Sequence, residues 1–413
     1  MPSSSNLEPC AQALAGSESY LAAHAPWPHV LWFGLLEQAG VPTGYVEGPT
    51  LSNPSLSIII VNWNVSRLLA KCLTKIQTNL AYLDYEVIVV DNASSDDSVA
   101  MLSKDFPWVQ LIVNRVNHGF AVANNQAFRI AKGDQILVLN PDTEIGPHAI
   151  QTMRRALEAN PQVGMVGPRI VNHDGAIVRP CRRANMSLWT IAKSLFLTDQ
   201  ILDRALHGLL GKHWRKFADR HYYQSGPTEC LQGSCMLMRR RDLRQVGYFD
   251  ERIPLYLDDG DLCQRFRNEG FEIYYSADAE VVHHGAKSVA KMPNSRMSSM
   301  VGCLAIDTFF LKHRNKAHVL VYHLMLFFSS LLFLLVDILL WPFLWFSHRP
   351  FIRNYTVKHF WCLVYSTTFQ FKTSAFPPQW PRSLKEVLSA PMNSDPEPAP
   401  PPEDPVTRQL TPG

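Results

Sequence analysis

Four short runs early in the chain are almost solidly aliphatic: "SIIIV" at 57–61, "EVIVVD" at 86–91, "VQLIVN" at 109–114 and "DQILVLN" at 134–140. A strand that is apolar on both faces must be covered on both faces. Helical patterns lie between these runs. Leu68, Leu69, Cys72, Leu73 and Ile76 repeat at helix spacing after the first, and "SSDDSVAMLSKDF" supplies Ser and Asp caps after the second. A further helix is expected from about 120 to 131. The alternation predicts an α/β domain, a largely parallel sheet flanked by helices.

In such sheets a ligand sits beyond the carboxyl ends of the strands, where Asn62, Asp91 and Asp142 fall. The stretch "ILVLNPDTEI" at 136–145 ends a buried strand in Asn140, Pro141 and an acid. Asn-Pro-Asp is also good turn chemistry. A turn alone does not explain three polar strand ends in one crevice. The first strand–helix turn, "VNWNVSR", has no glycine, so it lacks the dinucleotide fingerprint, and the chain has no G-x-x-x-x-G-K-[ST] phosphate loop. A nucleotide bound here needs another way to balance its pyrophosphate, and a divalent cation, Mg²⁺ or Mn²⁺, held by carboxylate oxygen would supply it.

A second acidic cluster, "LDDGDLCQRF" at 257–266, crowds Asp258, Asp259 and Asp261 before an amphipathic helix. Acid favours a helix N-terminus, which accounts for one carboxylate but poorly for three. Like charges so close call for a cation or a proton-accepting role. His283 and His284 close a later β run and fit either metal ligands or a polar strand end.

From about Leu56 to Ser288 the chain resembles the inverting family 2 glycosyltransferases of the GT-A fold, in their rhamnosyltransferase-like branch. The resemblance is carried, in order, by "SIIIVNWN", "VIVVDNASSDDS", "NHGFAVANNQAF", "GDQILVLNPDTEI", "VGMVGPRI", "LQGSCMLMRR", "VGYFDERIPLYLDDGDLCQRF" and "AEVVHHG". It implies a Rossmann-like, mostly parallel sheet flanked by helices. It also implies that Asp91 bonds the nucleobase, with Asn62, Asp96 and Asn125 in the nucleotide pocket. Asp142 corresponds to the last acid of the family's metal motif and His283 to a further ligand. Asp259 corresponds to the catalytic base supported by Asp258 and Asp261, while Gly119, Asn140 and Gly233 line the sugar pocket. The chain departs from the pattern in three ways. Asp258-Asp259 replaces the usual Glu-Asp, and Gly260 replaces a bulky residue, which leaves Asp259 and Asp261 both open as base. The metal motif keeps a single acid.

The implied reaction is an inverting, metal-assisted transfer of a sugar, with rhamnose one possibility, from a nucleoside-diphosphate sugar to a hydroxyl of a lipid-linked or glycan acceptor. A sugar-1-phosphate nucleotidyltransferase and a membrane-tethered sugar-nucleotide binder without catalysis are the alternatives.

Composition bounds the rest. With 413 residues and 46% hydrophobic content the chain can bury a large core, and a net charge of +3 argues against a nucleic-acid partner. The 8 cysteines show no C-x-x-C spacing and are expected as reduced thiols. The first Lys or Arg is Arg67, so no secretory signal is expected. Residues 1–54 read as a weakly structured extension, 55–290 as the GT-A domain and 291–316 as a basic linker. Residues 317–373 read as a membrane-associated helical region and 374–413 as a Pro-rich disordered tail. The apolar run 317–346 is long enough to span a bilayer. However, basic residues flank both of its ends, and Asp337 and Pro342 interrupt it. The expected arrangement is therefore embedded but not crossing, with the catalytic domain on the cytoplasmic face of the plasma membrane.

Overall fold

A computed structural model describes residues 30–31, 45–46, 54–178, 181–196, 217–253, 256–285, 295–344 and 350–368, with single positions between 203 and 211. The strands are β1 (Val30–Leu31), β2 (Tyr45–Val46), β3 (Leu56–Asn62), β4 (Tyr85–Asp91), β5 (Gln110–Val113), β6 (Gln135–Leu139) and β7 (Thr143–Ile145). They continue with β8 (Val163–Val171), β9 (Arg182–Arg183), β10 (Gly226–Thr228), β11 (Cys230–Leu231), β12 (Cys235–Arg239) and β13 (Glu272–His283). The helices are α1 (Ser66–Asn79), α2 (Ser98–Asp105), α3 (Phe120–Ile130), α4 (Ala149–Ala159) and α5 (Leu188–Leu195). After these come α6 (Arg240–Val246), α7 (Asp258–Asn268), α8 (Ser295–His313), α9 (Lys316–Leu344) and α10 (Pro350–Thr368).

The sheet order is β1-β2-β5-β4-β3-β6-β12-β8-β13-β10, with β7 on β13 and a separate β9–β11 pair. The four aliphatic runs form the parallel block β5-β4-β3-β6, as their composition predicts. Beyond it β12 runs antiparallel to both β6 and β8, so the second half of the sheet is mixed. Alternate residues of the central strands feed opposite cores. Ile58 and Ile60 pack with Leu69, Leu73 and Ile150, while Ile59 packs with Ala127, Phe128 and Phe266. Each such fully buried side chain contributes roughly 1.5–3 kcal/mol, which is why both faces of the sheet carry helices.

Two boundaries differ from expectation. The described part of the N-terminal extension is not featureless, because β2 pairs antiparallel with β5 and carries β1 outside it. The stretch taken as a basic linker contains α8, whose Val301, Leu304, Phe309 and Phe310 are fully buried in a third core with α9 and α10. The basic residues ending α8 explain the packing, since Lys312 Nζ lies 2.7 Å from Asp250 Oδ2 and His313 Nε2 lies 2.7 Å from Asp261 Oδ1. The Pro-rich segment, Trp345 and most of residues 1–54 lie outside the described residues.

Helices α9 and α10 run antiparallel. His323 near the start of α9 lies 3.3 Å from the Ser366 carbonyl near the end of α10, and Phe333 stacks on His359 with ring centroids 4.6 Å apart. The two faces of α9 differ in kind. Val319, Tyr322, His323, Leu326, Ser329 and Ser330 are buried, while Leu320, Leu324, Phe328, Leu331, Leu335 and Leu339 form an exposed stripe at helix spacing. The inward face mixes core residues with His323, Ser329 and Ser330, while the large exposed side chains are apolar.

Candidate active site

The polar ends of neighbouring strands meet at one edge of the sheet. Register pairs Asn62 with Asp91 and Ile60 with Leu139, so the loops after β3, β4 and β6 lie side by side. Because β12 is antiparallel, Cys235 opposite Leu139 brings Gly233 and Ser234 to the same edge.

At the first two strands Asn62 Nδ2 donates to Asp91 Oδ2 at 2.8 Å, and the Ser94 backbone N–H donates to Asp91 Oδ1 at 2.9 Å. Asn64 and Ala93 hold φ of 57° and 64°, a left-handed conformation that Asn tolerates and Ala adopts only under constraint. Asn64 Oδ1 accepts from the Ser95 backbone at 2.7 Å, which ties one strained loop to the other. Asp96 is exposed and accepts from the backbone N–H of Ser66 and of Ser98, both at 3.1 Å, so it joins the starts of α1 and α2. Asn92 Nδ2 donates to the carbonyl of Gly119, whose φ of 85° needs glycine. Asn125, expected in the nucleotide pocket, is committed elsewhere. Its Nδ2 donates to the Phe249 carbonyl and its Oδ1 accepts from the Phe249 N–H, fastening α3 to the segment that leads into α7.

At the third strand end Asp142 and His283 come together across β7 and β13, with Asp142 Oδ1 and His283 Nε2 3.1 Å apart and both residues buried. The two stand at ion-pair distance, and His283 Nε2 makes no hydrogen bond. Beside it His284 Nε2 lies 2.7 Å from Glu144 Oε1, so the two histidines that sequence left equivalent are distinct. Among the described residues no group of three or more His, Cys, Asp and Glu could hold an ion. Two ligands suit a cation that completes its shell from substrate phosphates and water. At metal–ligand bonds of about 2.1 Å, neighbouring ligand atoms at right angles lie about 3 Å apart. The residues present fit Mg²⁺ or Mn²⁺.

The acidic cluster divides into three environments. Asp261 is fully buried, bonded to Arg265 Nε at 2.9 Å and close to Lys312 and His313. Burial alone would raise its pKa, but the His313 hydrogen bond and the charges of Arg265 and Lys312 outweigh that and hold it well below the usual carboxylate range. It is a structural anchor, its two oxygens facing Arg265, Lys312 and His313. Asp258 is pushed up to about 7 by burial and then by the neighbouring charge of Asp259. Asp259 Oδ2 accepts from the Gly233 backbone at 2.9 Å and Oδ1 from that of Gly260 at 2.7 Å. Arg183, from β9, also donates to Oδ1, and its guanidinium is held charged by that contact. Tyr256 and Leu257, just before the cluster, take φ of 63° and 58° in succession, strain of the kind stored at functional sites.

One backbone path links these parts. The Asn140 N–H donates to the Ser234 carbonyl at 2.9 Å, and the adjoining Gly233 holds Asp259, so the strand that leads to Asp142 is also tied to the Asp259 carboxylate. Sequence alone did not point to Arg183, Lys312 or His313, because no motif or period marks them. Asn62 Oδ1, Thr143 Oγ1, Gln232 Oε1, Ser234 Oγ and His283 Nε2 are buried without hydrogen-bond partners, all in or beside these loops. Each costs roughly 1–3 kcal/mol unless something polar meets it.

The crevice lies beyond the carboxyl ends of the parallel strands, where sheets of this kind take their ligand. Residues 57–247 match the profile of Glycosyl transferase family 2. Those residues form a family 2 glycosyltransferase domain, and the enzyme is a glycosyltransferase. It is 29% identical over 233 residues to the N-acetylglucosaminyl-diphospho-decaprenol L-rhamnosyltransferase of Mycobacterium tuberculosis, covering 52% of this chain and 71% of that protein. It is 27% identical to a low-salt glycan biosynthesis hexosyltransferase of Haloferax volcanii, covering 55% of this chain and 67% of that protein. Among solved structures, a mannosyltransferase of Pyrobaculum calidifontis in complex with GDP-Man and Mn²⁺ is similar at TM-score 0.42 and 16% identity, over 78% of this chain and 89% of that one.

Proposed function

We propose that the chain transfers a sugar, rhamnose first among the choices, from a nucleoside-diphosphate sugar to a hydroxyl of a lipid-diphosphate-linked glycan, with inversion. The observation that carries this is the set of unpartnered buried polar atoms ringing the loops after β3, β6 and β13, beside a carboxylate held by Gly233. The named specificity of the mycobacterial relative supports the donor sugar and the acceptor.

Asp91 and Asn62 would bind the nucleobase, and Asp142 and His283 would hold a divalent cation. That cation, when bound, offsets the charge of the departing nucleoside diphosphate. Asp259 takes the proton of the acceptor hydroxyl as its oxygen bonds to the anomeric carbon. The bond from that carbon to the diphosphate breaks, and its electron pair leaves with the nucleoside diphosphate. Gly233 and Gly260 orient the Asp259 carboxylate, and buried Asp258 beside it keeps that end of α7 acidic.

The proposed location is the cytoplasmic face of the plasma membrane, with α9 and α10 embedded but not crossing. Lys316–Val336 is long and apolar enough to cross, and α9 exposes large apolar side chains while it buries His323, Ser329 and Ser330, as helices do in lipid. The antiparallel return of α10 brings the chain back toward the start of α9. The sequence of α10 carries Arg353 and Lys358, and a basic residue at bilayer centre costs roughly 2.5–3.5 kcal/mol, which disfavours two full spans.

The test is product analysis with a panel of nucleoside-diphosphate sugars and a prenyl-diphosphate-linked N-acetylglucosamine acceptor. Free nucleoside diphosphate and an extended glycan are expected. Release of inorganic pyrophosphate would mean a nucleotidyltransferase and overturn the proposal.

A further inference from the structure

Beside the base lies a cavity of about 370 Å³ that joins two parts of the molecule. Arg183, Cys230, Leu257 and Gly260 line it on the catalytic side, and Ile306 of α8 and Tyr322 of α9 line it on the side of the apolar helices. Lys193 of α5 also faces it. The space is cationic near Asp259 and apolar toward α9.

Asp259 is not free to act as it stands. Arg183 and the Gly260 N–H occupy Oδ1 and the Gly233 N–H occupies Oδ2, so three of its roughly four acceptor positions are taken. The two backbone donors are fixed by the fold. The guanidinium sits on a long side chain that is 33% exposed, its Nε also donating to Cys230 Sγ at 3.2 Å, and of the three donors it alone can turn aside without moving backbone. Gly260 gives it room. A Cβ there would lie 3.6 Å from Leu257 Cδ2 and 4.0 Å from Arg183 Nη2, so a longer side chain would compete for the space of the guanidinium.

We infer that Arg183 is a latch on the base which the acceptor's own diphosphate releases. With the cavity empty the guanidinium covers Asp259. With a diphosphate seated there it pairs with phosphate oxygens and uncovers Oδ1. This rests on the transfer to a lipid diphosphate proposed above. Arginine suits the exchange because its planar fork fits carboxylate and phosphate alike, and a diphosphate brings more charge and more acceptor oxygens than one carboxylate. The apolar walls of Ile191, Ile306 and Tyr322 would take the first part of the lipid. The device also keeps the base covered while a donor waits alone, so water is not activated against it.

The test uses the full chain in vesicles, comparing the parent with Arg183→Gln and Arg183→Lys. Two acceptors carry the same sugar, one on a prenyl diphosphate and one on a plain alkyl glycoside. The parent should prefer the diphosphate acceptor by about 100-fold in kcat/KM, and Arg183→Gln should cut that preference to about 10-fold or less through acceptor KM. Donor hydrolysis without acceptor should rise roughly 10-fold in Arg183→Gln, with Arg183→Lys between the two. Donor affinity by calorimetry should not change. In the parent, inorganic pyrophosphate with Mg²⁺ in excess should speed transfer to the alkyl glycoside.

Unchanged preference and hydrolysis in Arg183→Gln, with pyrophosphate inert on the parent, would overturn the latch and leave glycosyl transfer intact. Weaker donor binding in Arg183→Gln would make Arg183 a donor ligand and overturn it as well. A parent that binds donor but transfers to neither acceptor would remove the proposed function and the latch together.

Discussion

His283 Nε2 and Asp142 Oδ1 face each other at 3.1 Å from two different strands, buried and without a hydrogen bond between them. Two groups of ligand type held that close, with His283 Nε2 making no hydrogen bond, are placed to share a cation. Asp142→Ala and His283→Ala should each weaken donor binding roughly 10-fold or more with Mg²⁺ or Mn²⁺ present and change it little in chelator. Calorimetric titration in both conditions measures this. Equal donor affinity of the parent with metal and with chelator would exclude a cation role for the pair.

The two carboxylates that sequence left competing as base should fail in different ways. Asp259→Asn should keep donor affinity and lower kcat by about 10²-fold or more. Asp261→Asn leaves Arg265, Lys312 and His313 facing a neutral group at a fully buried site. Breaking such a pair costs roughly 3–5 kcal/mol, so thermal unfolding should report it first. If Asp261→Asn keeps its Tm and loses turnover, the assignment of the base is reversed.

Gly233→Ala tests how closely the base is held. The added methyl would lie 3.3 Å from Asp259 Cβ, tighter than an easy contact, and would push the carboxylate off the Gly233 N–H. A fall in kcat of roughly 10-fold with donor KM unchanged is expected, since small displacements of a catalytic group are costly. Steady-state kinetics with varied donor decides it.

Asp258 sets a pH dependence of stability. Its pKa rises from 3.8 to about 7 on folding, through burial and then the charge of Asp259. The folded state therefore binds the proton more tightly than the unfolded chain. Its stabilising share is fully present below the unfolded value of 3.8 and is lost as pH rises through about 7. Asp258→Asn cannot ionise, so its Tm relative to the parent should climb across that window and level off above it. Scanning calorimetry from pH 5 to pH 8.5 checks the sign, and a relative Tm that fell with pH would contradict it.

The placement of α9 and α10 makes a topological prediction. Because His323 meets Ser366 and Phe333 meets His359, the chain returns to the side from which α9 began. In sealed inside-out vesicles, protease should trim the segment after Thr368 on the same face that exposes the catalytic domain. In right-side-out vesicles both should be protected. Trimming of that segment from the outer face alone would show a single crossing.

Much of the catalytic half was legible because its signals are local. A strand buried on both faces must be written as a continuous aliphatic run, so "SIIIV" and "EVIVVD" disclosed β3, β4 and the parallel block, and the polar residues ending them disclosed the crevice. The length and apolarity of α9 were equally plain. What the chain could not disclose locally was anything made by residues far apart in sequence. That Asp261 is an anchor depends on Lys312 and His313, about fifty residues away on a stretch whose charges read as a linker. That Asp259 is covered depends on Arg183, 76 residues earlier, with no motif around it. Asn125 looks like a polar pocket residue until Phe249 arrives to use both ends of its amide. The buried polar residues of α9 need α8 and α10 to be present before they have an inside. Strand composition follows from burial, a property each residue carries with it, whereas the partner of a charge is chosen only when the chain has closed.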